Sequence, residues 1–308
     1  MAPLAPSTVR YIKLGPGGAW AKACLADGVI RFGSPDEPHA ECLAGDWDAA
    51  RAALAQDRRR SPGEVSQVLR ELRDFYKLPT ACLWITFADG RLWWAFAEAE
   101  VARVAEGTAG VVERRTRAGW YDFNLLGAPL TVASLSSRLT QLQGYQRTIC
   151  KVAAADYLLR RINDVEEPAV ARARAVQAEM IESAEALIAG LHWADFEVLA
   201  DLLLSRSGWQ RVSALGGTQA DVDLIVSQPA TGERGFVQVK SRATQAVLNA
   251  SIAAYRANGS YARMFFVCHS PAGRLVADGP DVHLLTGSEL ARRSVGAGLL
   301  DWLIERNG

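Results

Sequence analysis

Two short runs stand out for the chemistry their side chains can do. Ala220-Asp221-Val222-Asp223 leads into the apolar Leu224-Ile225-Val226, and Phe236-Val237-Gln238-Val239-Lys240 follows after the turn-forming Gln228-Pro229-Ala230-Thr231-Gly232-Glu233. A Pro/Gly turn between two apolar runs makes them neighbouring antiparallel strands. Alternate strand residues share a face, so Gln238 and Lys240 point one way while Val237 and Val239 face a core. A hairpin centred near residue 231 sets Asp223 roughly opposite Gln238. One sheet face then carries a carboxylate, an amide carbonyl and an ammonium, and Asp221 can add a second carboxylate. A hard cation such as Mg²⁺ takes oxygen ligands of this kind and retains several waters. A nearby lysine can orient one of those waters or help deprotonate it, and attack of a metal-activated water on phosphorus is a route to phosphodiester hydrolysis. The same residues also fit a plain solvated sheet face held by ion pairs.

The elements that must position these groups are marked on both sides of them. A helix is expected over about 192–206, stopping at Ser207-Gly208, with a short strand near Trp209–Ser213. Strands Val222–Val226 and Gly235–Lys240 come next, then a helix over about 244–257, strands Met264–Cys268 and Val282–Leu285, and a helix started by Ser288. Mixed strands flanked by helices indicate α/β architecture. The Ala-, Glu- and Arg-rich stretch from Asp164 to about Gly190 reads as a long helix marking a domain boundary. The organisation expected is therefore a domain over 1–160, a linker helix over 161–190 and a second domain over 191–308.

The first domain is expected to be a smaller α+β unit, with a curled sheet as one arrangement of its strands. Ser61-Pro62-Gly63-Glu64 opens a helix with a capping box, and its apolar residues recur at helical spacing. Ala88-Asp89-Gly90-Arg91 joins Cys82–Phe87 to Leu92–Phe96 as a hairpin. Aromatic residues are frequent here. Trp84, Trp93, Trp94, Trp120 and Tyr121 can form the pocket that an extruded base requires, or simply a core. Arg58-Arg59-Arg60 and Arg114, Arg115 and Arg117 can contact phosphate, or be ordinary solvated arginines.

Asp223, Gln238-Val239-Lys240 and the upstream helix with Phe196-Glu197 followed by Gly208-Trp209 resemble the Mrr-like branch of the PD-(D/E)xK nucleases, in which Gln replaces the acidic residue of the final motif. The resemblance spans about residues 190–290. It implies the restriction-endonuclease fold and cleavage of double-stranded DNA with Mg²⁺, for which Mn²⁺ can substitute. By motif position Asp223, Gln238, Lys240 and Glu197 would be the catalytic residues, and Asp223, Gln238, Asp221 and Val239 the metal-binding set. Related sequences often carry a Gly-rich D-x-G-I-D pattern where this one has Gln219-Ala220-Asp221-Val222-Asp223. Asp223 is favoured as the leading ligand because it directly precedes Leu224-Ile225-Val226. Asp221 fits a turn residue as well as a ligand, and Glu197, beside Phe196, Leu199, Ala200 and Leu203, fits an ordinary polar-face residue. Ser241 and Arg242 can touch phosphate or, with Thr244, merely start the next helix.

The order of domains is similar to that of modification-dependent (type IV) restriction enzymes, in which a base-reading domain of SRA, EVE or YTH type precedes a Mrr-like nuclease. A PUA/EVE/SRA-like reader of a modified base is therefore expected at the N-terminal end. Cutting both strands needs two active sites, so a homodimer or a DNA-induced dimer is expected as well. Two other functions fit the residues: an RNA- or single-strand-directed nuclease with a nucleotide-sensing first domain, and a non-catalytic nucleic-acid-binding module.

Composition bounds these readings. The 308 residues include 34 Lys+Arg and 34 Asp+Glu, and 49% are hydrophobic, which excludes a largely disordered chain. The first 150 residues hold 18 basic and 16 acidic side chains and the remainder 16 and 18. Neither half has the charge excess of a non-specific nucleic-acid binder, so any DNA contact must use local patches. Cys24, Cys42, Cys82, Cys150 and Cys268 form no C-x-x-C pair and read as buried thiols of a reducing, cytoplasmic compartment. Four scattered histidines argue against a His-built metal site. No membrane span or signal peptide is expected.

Overall fold

The computed structural model describes residues 2–33, 38–104, 111–212 and 223–308. The chain divides into two units, Met1–Glu167 and Pro168–Gly308. Among the described residues no helix is long and apolar enough to cross a membrane.

The first unit contains strands β1 (Thr8–Ile12), β2 (Val29–Gly33), β3 (Cys82–Ala88), β4 (Arg91–Phe96), β5 (Ala102–Arg103), β6 (Val111–Arg115) and β7 (Ile149–Lys151). Its helices are α1 (Ala21–Asp27), α2 (His39–Ala44), α3 (Trp47–Ala55), α4 (Pro62–Lys77), α5 (Ser137–Thr140) and α6 (Ala155–Asn163). Two sheets form, in the orders β4-β3-β1-β7 and β2-β6-β5. Antiparallel bridges Trp94–Tyr121 and Ala97–Thr116 connect β4 and the residue after it to the segment leaving β6. The β3–β4 hairpin turns on Asp89 (φ 51°) and Gly90 (φ 71°), both left-handed, as a two-residue loop with Asp-Gly demands. α4 starts with the expected capping box, Ser61 and Glu64 each satisfying the other's backbone N–H.

Strand alternation divides the apolar residues of this unit between two cores. Trp84 and Ala95 pack with Phe32, Leu72 and Phe75 on one side of the sheet. Leu83, Ile85, Leu92 and Trp94 pack with Leu130, Leu158 and Ile162 on the other. Four of the five free thiols are buried, while Cys150 is only half-buried. Burial pushes the thiol of Cys82 up to about 12 and that of Cys150 up to about 11.

The second unit opens with α7 (Pro168–Gly190), which the sequence suggested as a linker. Its C-terminal half buries Ala184 and Ile188 in the core of this unit. α8 (Trp193–Arg206), β8 (Gln210–Arg211), β9 (Leu224–Ser227), β10 (Arg234–Ala243), α9 (Gln245–Ala257), β11 (Arg263–Pro271), β12 (Val282–Thr286), α10 (Gly287–Gly296) and α11 (Leu300–Asn307) follow. The five strands lie in the order β12-β11-β10-β9-β8. β10, β11 and β12 are mutually parallel, and β9 runs antiparallel to both β10 and β8. Val237, Val239, Phe265 and Val267 face α7, α8, α10 and α11. Phe236, Met264, Phe266 and Cys268 face α9. This is the helix-flanked mixed sheet that the element order predicts.

Glu71 of α4 is a buried carboxylic acid, 5% exposed, whose pKa is raised above the usual carboxylate range by burial. A raised native pKa means that the folded chain holds this proton more tightly than the unfolded one. Stability is then highest below the ordinary carboxylate pKa and falls as pH rises through the raised value. Glu71→Gln should therefore gain stability relative to the parent between acid and neutral pH, in denaturant titrations at a series of pH values. A difference that does not change with pH counts against an ionised, buried Glu71.

Candidate active site

The pairing register places the key groups where the turn arithmetic predicts. Phe236 pairs with Ile225 and Val237 with Leu224, so the next step outward sets Asp223 against Gln238. β9 ends at Leu224 while β10 runs on to Ala243. Beyond that point the Asp223 side chain stands where a strand partner would be. Its Oδ2 accepts hydrogen bonds from the Val239 backbone N–H (2.7 Å), from Lys240 Nζ (3.3 Å) and from Gln238 Nε2. Gln238 is 5% exposed, and Lys240 and Asp223 are half-buried. A buried amide needs partners, and the carboxylate supplies one.

Glu197 reaches this group through charge. Burial raises its carboxyl pKa, and the neighbouring Asp223 charge raises it further, while Arg211 and Lys240 pull it back. Like-charge carboxylates that oppose each other's ionisation are a recurrent mark of functional sites. Asp221 lies outside the described residues.

The donor set fits a hard divalent cation. The carboxylates of Asp223 and Glu197, the Gln238 amide oxygen and the Val239 main-chain carbonyl would be the oxygens available to one. Among the described residues no cluster of three or more His, Cys, Asp or Glu side chains is assembled as a metal site, so amide oxygens have to complete any such set.

The flanking residues sort clearly. Ser241 and Arg242 continue β10 and do not start a helix, and Arg242 is exposed. Thr244 is the N-cap of α9, its hydroxyl accepting from the Val247 N–H at 3.5 Å. His269, which the sequence did not single out, packs edge-on against Phe196 with ring centroids 4.6 Å apart. Its Nδ1 lies 2.8 Å from the Ser270 hydroxyl, and its buried Nε2 lacks a hydrogen-bond partner among the described residues. Burial and the Arg242 charge lower its pKa. Arg211, also missed, pairs with Asp201 at 3.8 Å. Neither has a sequence signal, because only the strand order brings them close.

In the first unit the structure corrects several expectations. Arg114 is 1% exposed and cannot meet phosphate. Its guanidinium donates to the carbonyls of Glu98 (2.7 Å), Phe75 (3.0 Å) and Leu78 (3.3 Å), and it lies over the Trp84 ring. Trp84 is fully buried, and Trp120 is 8% exposed with its Nε1 donating to the Val29 carbonyl. Both are core residues, not walls of a base pocket. Trp93 is half-buried against the same core as Trp84, its Nε1 donating to the Ala88 carbonyl at 3.3 Å. Arg58 and Arg59 are exposed, and Asp57 binds both Arg59 and Arg60. Arg115 and Arg117 are exposed. Trp94 and Tyr121 line a common cavity.

The second unit is a mixed α/β domain with a carboxylate, an amide and an ammonium gathered beside its central strand. Residues 188–294 match the family model Mrr_cat, described as a restriction endonuclease. The second unit thus carries a Mrr-like restriction-endonuclease domain. A solved structure of the MspJI restriction endonuclease in complex with a 27-mer oligonucleotide aligns with 92% of this chain and 75% of its own length, at 15% identity and a TM-score of 0.30. No curated protein matches the chain.

Removing the Arg114 guanidinium would take a donor from the carbonyls of Glu98, Phe75 and Leu78. Arg114→Met is therefore expected to lower stability by at least about 2 kcal/mol, whereas Arg59→Ala at the surface should stay within about 0.5 kcal/mol of the parent. Urea titration of both variants checks the distinction. Equal stabilities would remove the structural role given to Arg114.

Proposed function

We propose that the protein is a metal-dependent endonuclease that hydrolyses phosphodiester bonds in double-stranded DNA, and that its first unit reads a modified base. The observation that carries the nuclease reading is the convergence of Lys240 Nζ, Gln238 Nε2 and the Val239 N–H on one oxygen of Asp223, inside a segment that matches a restriction-endonuclease model.

Asp223, Glu197, Gln238 and the Val239 carbonyl are the groups that would hold a divalent cation such as Mg²⁺, and Asp221 is a further candidate. Bound there, the cation would neutralise charge on the scissile phosphate and acidify a water. The chain's own residues do the rest. Asp223 holds Lys240 beside the reacting face through an ion pair of 3.3 Å, so an ammonium donor is already in place for the attacking water or a phosphate oxygen. Burial and the Asp223 charge raise the carboxyl pKa of Glu197, which marks it as electrostatically coupled to the Asp223 group. Arg242, two residues beyond Lys240 on the same strand and exposed, is available to the DNA backbone. A single such site cuts one strand, so cleavage of a duplex calls for two copies of the chain, as a homodimer or on the DNA.

Asp223→Ala and Lys240→Ala should each lower Mg²⁺-dependent cleavage by at least about 10²-fold while duplex binding is retained. The assay is nicking and linearisation of a panel of plasmid and phage DNAs, unmodified or carrying 5-methylcytosine, 5-hydroxymethylcytosine or N6-methyladenine. Cleavage near the parent rate in either variant would overturn the assignment of the site. Cutting of every substrate alike would leave the first unit without a reading role.

A further inference from the structure

The second unit holds a cavity of about 360 Å³ that no part of the nuclease chemistry uses. Glu233 precedes β10, Arg263 is the first residue of β11 and His283 the second of β12, so the cavity lies where these parallel strands begin. Lys240 stands seven residues beyond Glu233 along the chain, about 20 Å away at the rise of a strand. Helix α8 spans the same interval. Glu197 lies in its first half, whereas Leu203 and Leu204, near its end, wall the cavity.

Two sequence features without a part in the nuclease face meet here, Gly208-Trp209 and the turn Gln228–Glu233. Gly208 follows the C-cap of α8 at φ 87°, a left-handed conformation that glycine adopts freely. A Cβ at this position would stand 3.2 Å from Gln228 Nε2, so the glycine lets the turn approach closely. Trp209, 8% exposed, meets the Phe265 ring edge-on, with centroids 5.1 Å apart at 72°. Phe265 in turn stacks with His283, its register partner on β12, at 5.3 Å and 22°. These rings form an aromatic wall over an apolar floor.

The rim of the cavity is charged. Arg263 donates to Glu233 through Nε (3.3 Å) and Nη2 (3.5 Å), and Arg293 donates to Glu289 through Nε (2.7 Å). Both arginine side chains nonetheless remain at least 40% exposed, and of the two carboxylates only Glu233 lines the cavity. Burial lowers the pKa of His283, and the Arg263 and Arg293 charges lower it further against the pull of Asp281. At neutral pH its ring is therefore an uncharged platform with two cations close by.

We propose that this cavity binds a nucleoside 5′-phosphate, its base against Phe265, His283 and Trp209 and its phosphate between Arg263 and Arg293. The ligand is either a free nucleotide or the terminal residue of a strand. The volume lies near the lower end of the range for ligand pockets, about 300–1,000 Å³, which suits one nucleotide. Aromatic faces hold a base whatever its hydrogen-bonding edge, and guanidinium groups make the charge-assisted bonds that phosphate requires. The Glu233 carboxylate and the Gln228 amide face the same space and can meet amino and hydroxyl groups of base or sugar. A wholly apolar ligand would strip water from the two cations without replacing it, and inorganic phosphate would leave the rings uncovered. The site stands apart from the nuclease face and does not depend on how that face is read.

The test is calorimetric titration of the full chain in EDTA with AMP, GMP, CMP and UMP, with the four nucleosides, and with inorganic phosphate. At least one mononucleotide should bind, its nucleoside and phosphate alone each at least about 10-fold more weakly. Trinucleotides with and without a 5′-phosphate separate the sources: binding of the phosphorylated form in place of the mononucleotides assigns the site to a strand end. Arg293→Gln should weaken binding by roughly 10-fold or more. His283→Leu, which keeps an apolar side chain but removes the flat ring, should weaken it by roughly 5- to 150-fold, the range for one lost base–aromatic stack. If His283→Leu melts early, the exposed Arg293→Gln decides. Lys240→Ala should bind as the parent does. No binding of any mononucleotide or trinucleotide, binding indifferent to the phosphate, an unchanged affinity in Arg293→Gln, or loss of binding in Lys240→Ala would overturn the proposal. Mg²⁺-dependent DNA cleavage is scored separately, so a chain that binds nucleotide but cuts no DNA refutes the nuclease reading alone.

Discussion

A strand in mid-sheet that outruns its neighbour leaves backbone donors facing nothing, and a buried donor without a partner is costly. Among the described residues the pairing of β10 with β9 reaches Val237 opposite Leu224, while β10 continues to Ala243. The Asp223 carboxylate takes over where the strand ends, accepting from the Val239 N–H and in the same place from Gln238 and Lys240. One oxygen thus closes a gap in the sheet and assembles the polar face. The same carboxylate therefore serves the backbone of β10 and the two polar side chains beside it. Glu197 of α8 feels that anion as a rise in its own pKa, which is how a helix packed on the sheet becomes part of the same electrostatic group.

The juxtaposition of Asp223 with Gln238 was legible in the sequence because its geometry is local. Counting back from a turn near residue 231 is enough to oppose Asp223 and Gln238, and alternation separates Val237 and Val239 from the residues between them. Asp89-Gly90 and Ser61-Glu64 were legible for the same reason, since a left-handed turn and a capping box are defined within four residues. His269 and Arg211 were not, because each joins the region only through strand pairing or helix packing. The limit of α7 was misjudged because an Ala-, Arg- and Glu-rich helix reads alike whether it spans two domains or packs on one. Only the burial of Ala184 and Ile188 decides this.

The first unit shows where alternation fails as a guide. Its sheet is covered on both sides, so both sets of alternate residues are apolar and the pattern does not tell a core from a pocket. Trp84, Trp93 and Trp120 belong with one core, whereas Trp94 belongs to the opposite face. Phe96 and Phe123 complete the face that Trp94 and Tyr121 begin. Arg114 was misjudged for a related reason. An arginine in a charged run looks solvated, yet strand β6 turns this one inward, between the solvent-facing Arg115 and the half-buried Glu113, to the carbonyls of Phe75 and Leu78 at the end of α4 and of Glu98.

Because β4 has an apolar residue on either face, its register has an unusual bearing on how the chain tolerates length changes. Adding or deleting one residue at the Asp89-Gly90 loop would exchange the Trp93 and Trp94 faces wholesale, presenting Ala95 where Phe96 lines the cavity. Changes of two residues would preserve the faces and only slide the pairing. Natural or laboratory variation in length should therefore collect in loops such as Gln228–Glu233 or beyond Thr131, and avoid this turn. A loop-length library of the first unit would divide by parity, odd changes dismantling both cores together and even ones leaving a folded chain with a shifted aromatic wall.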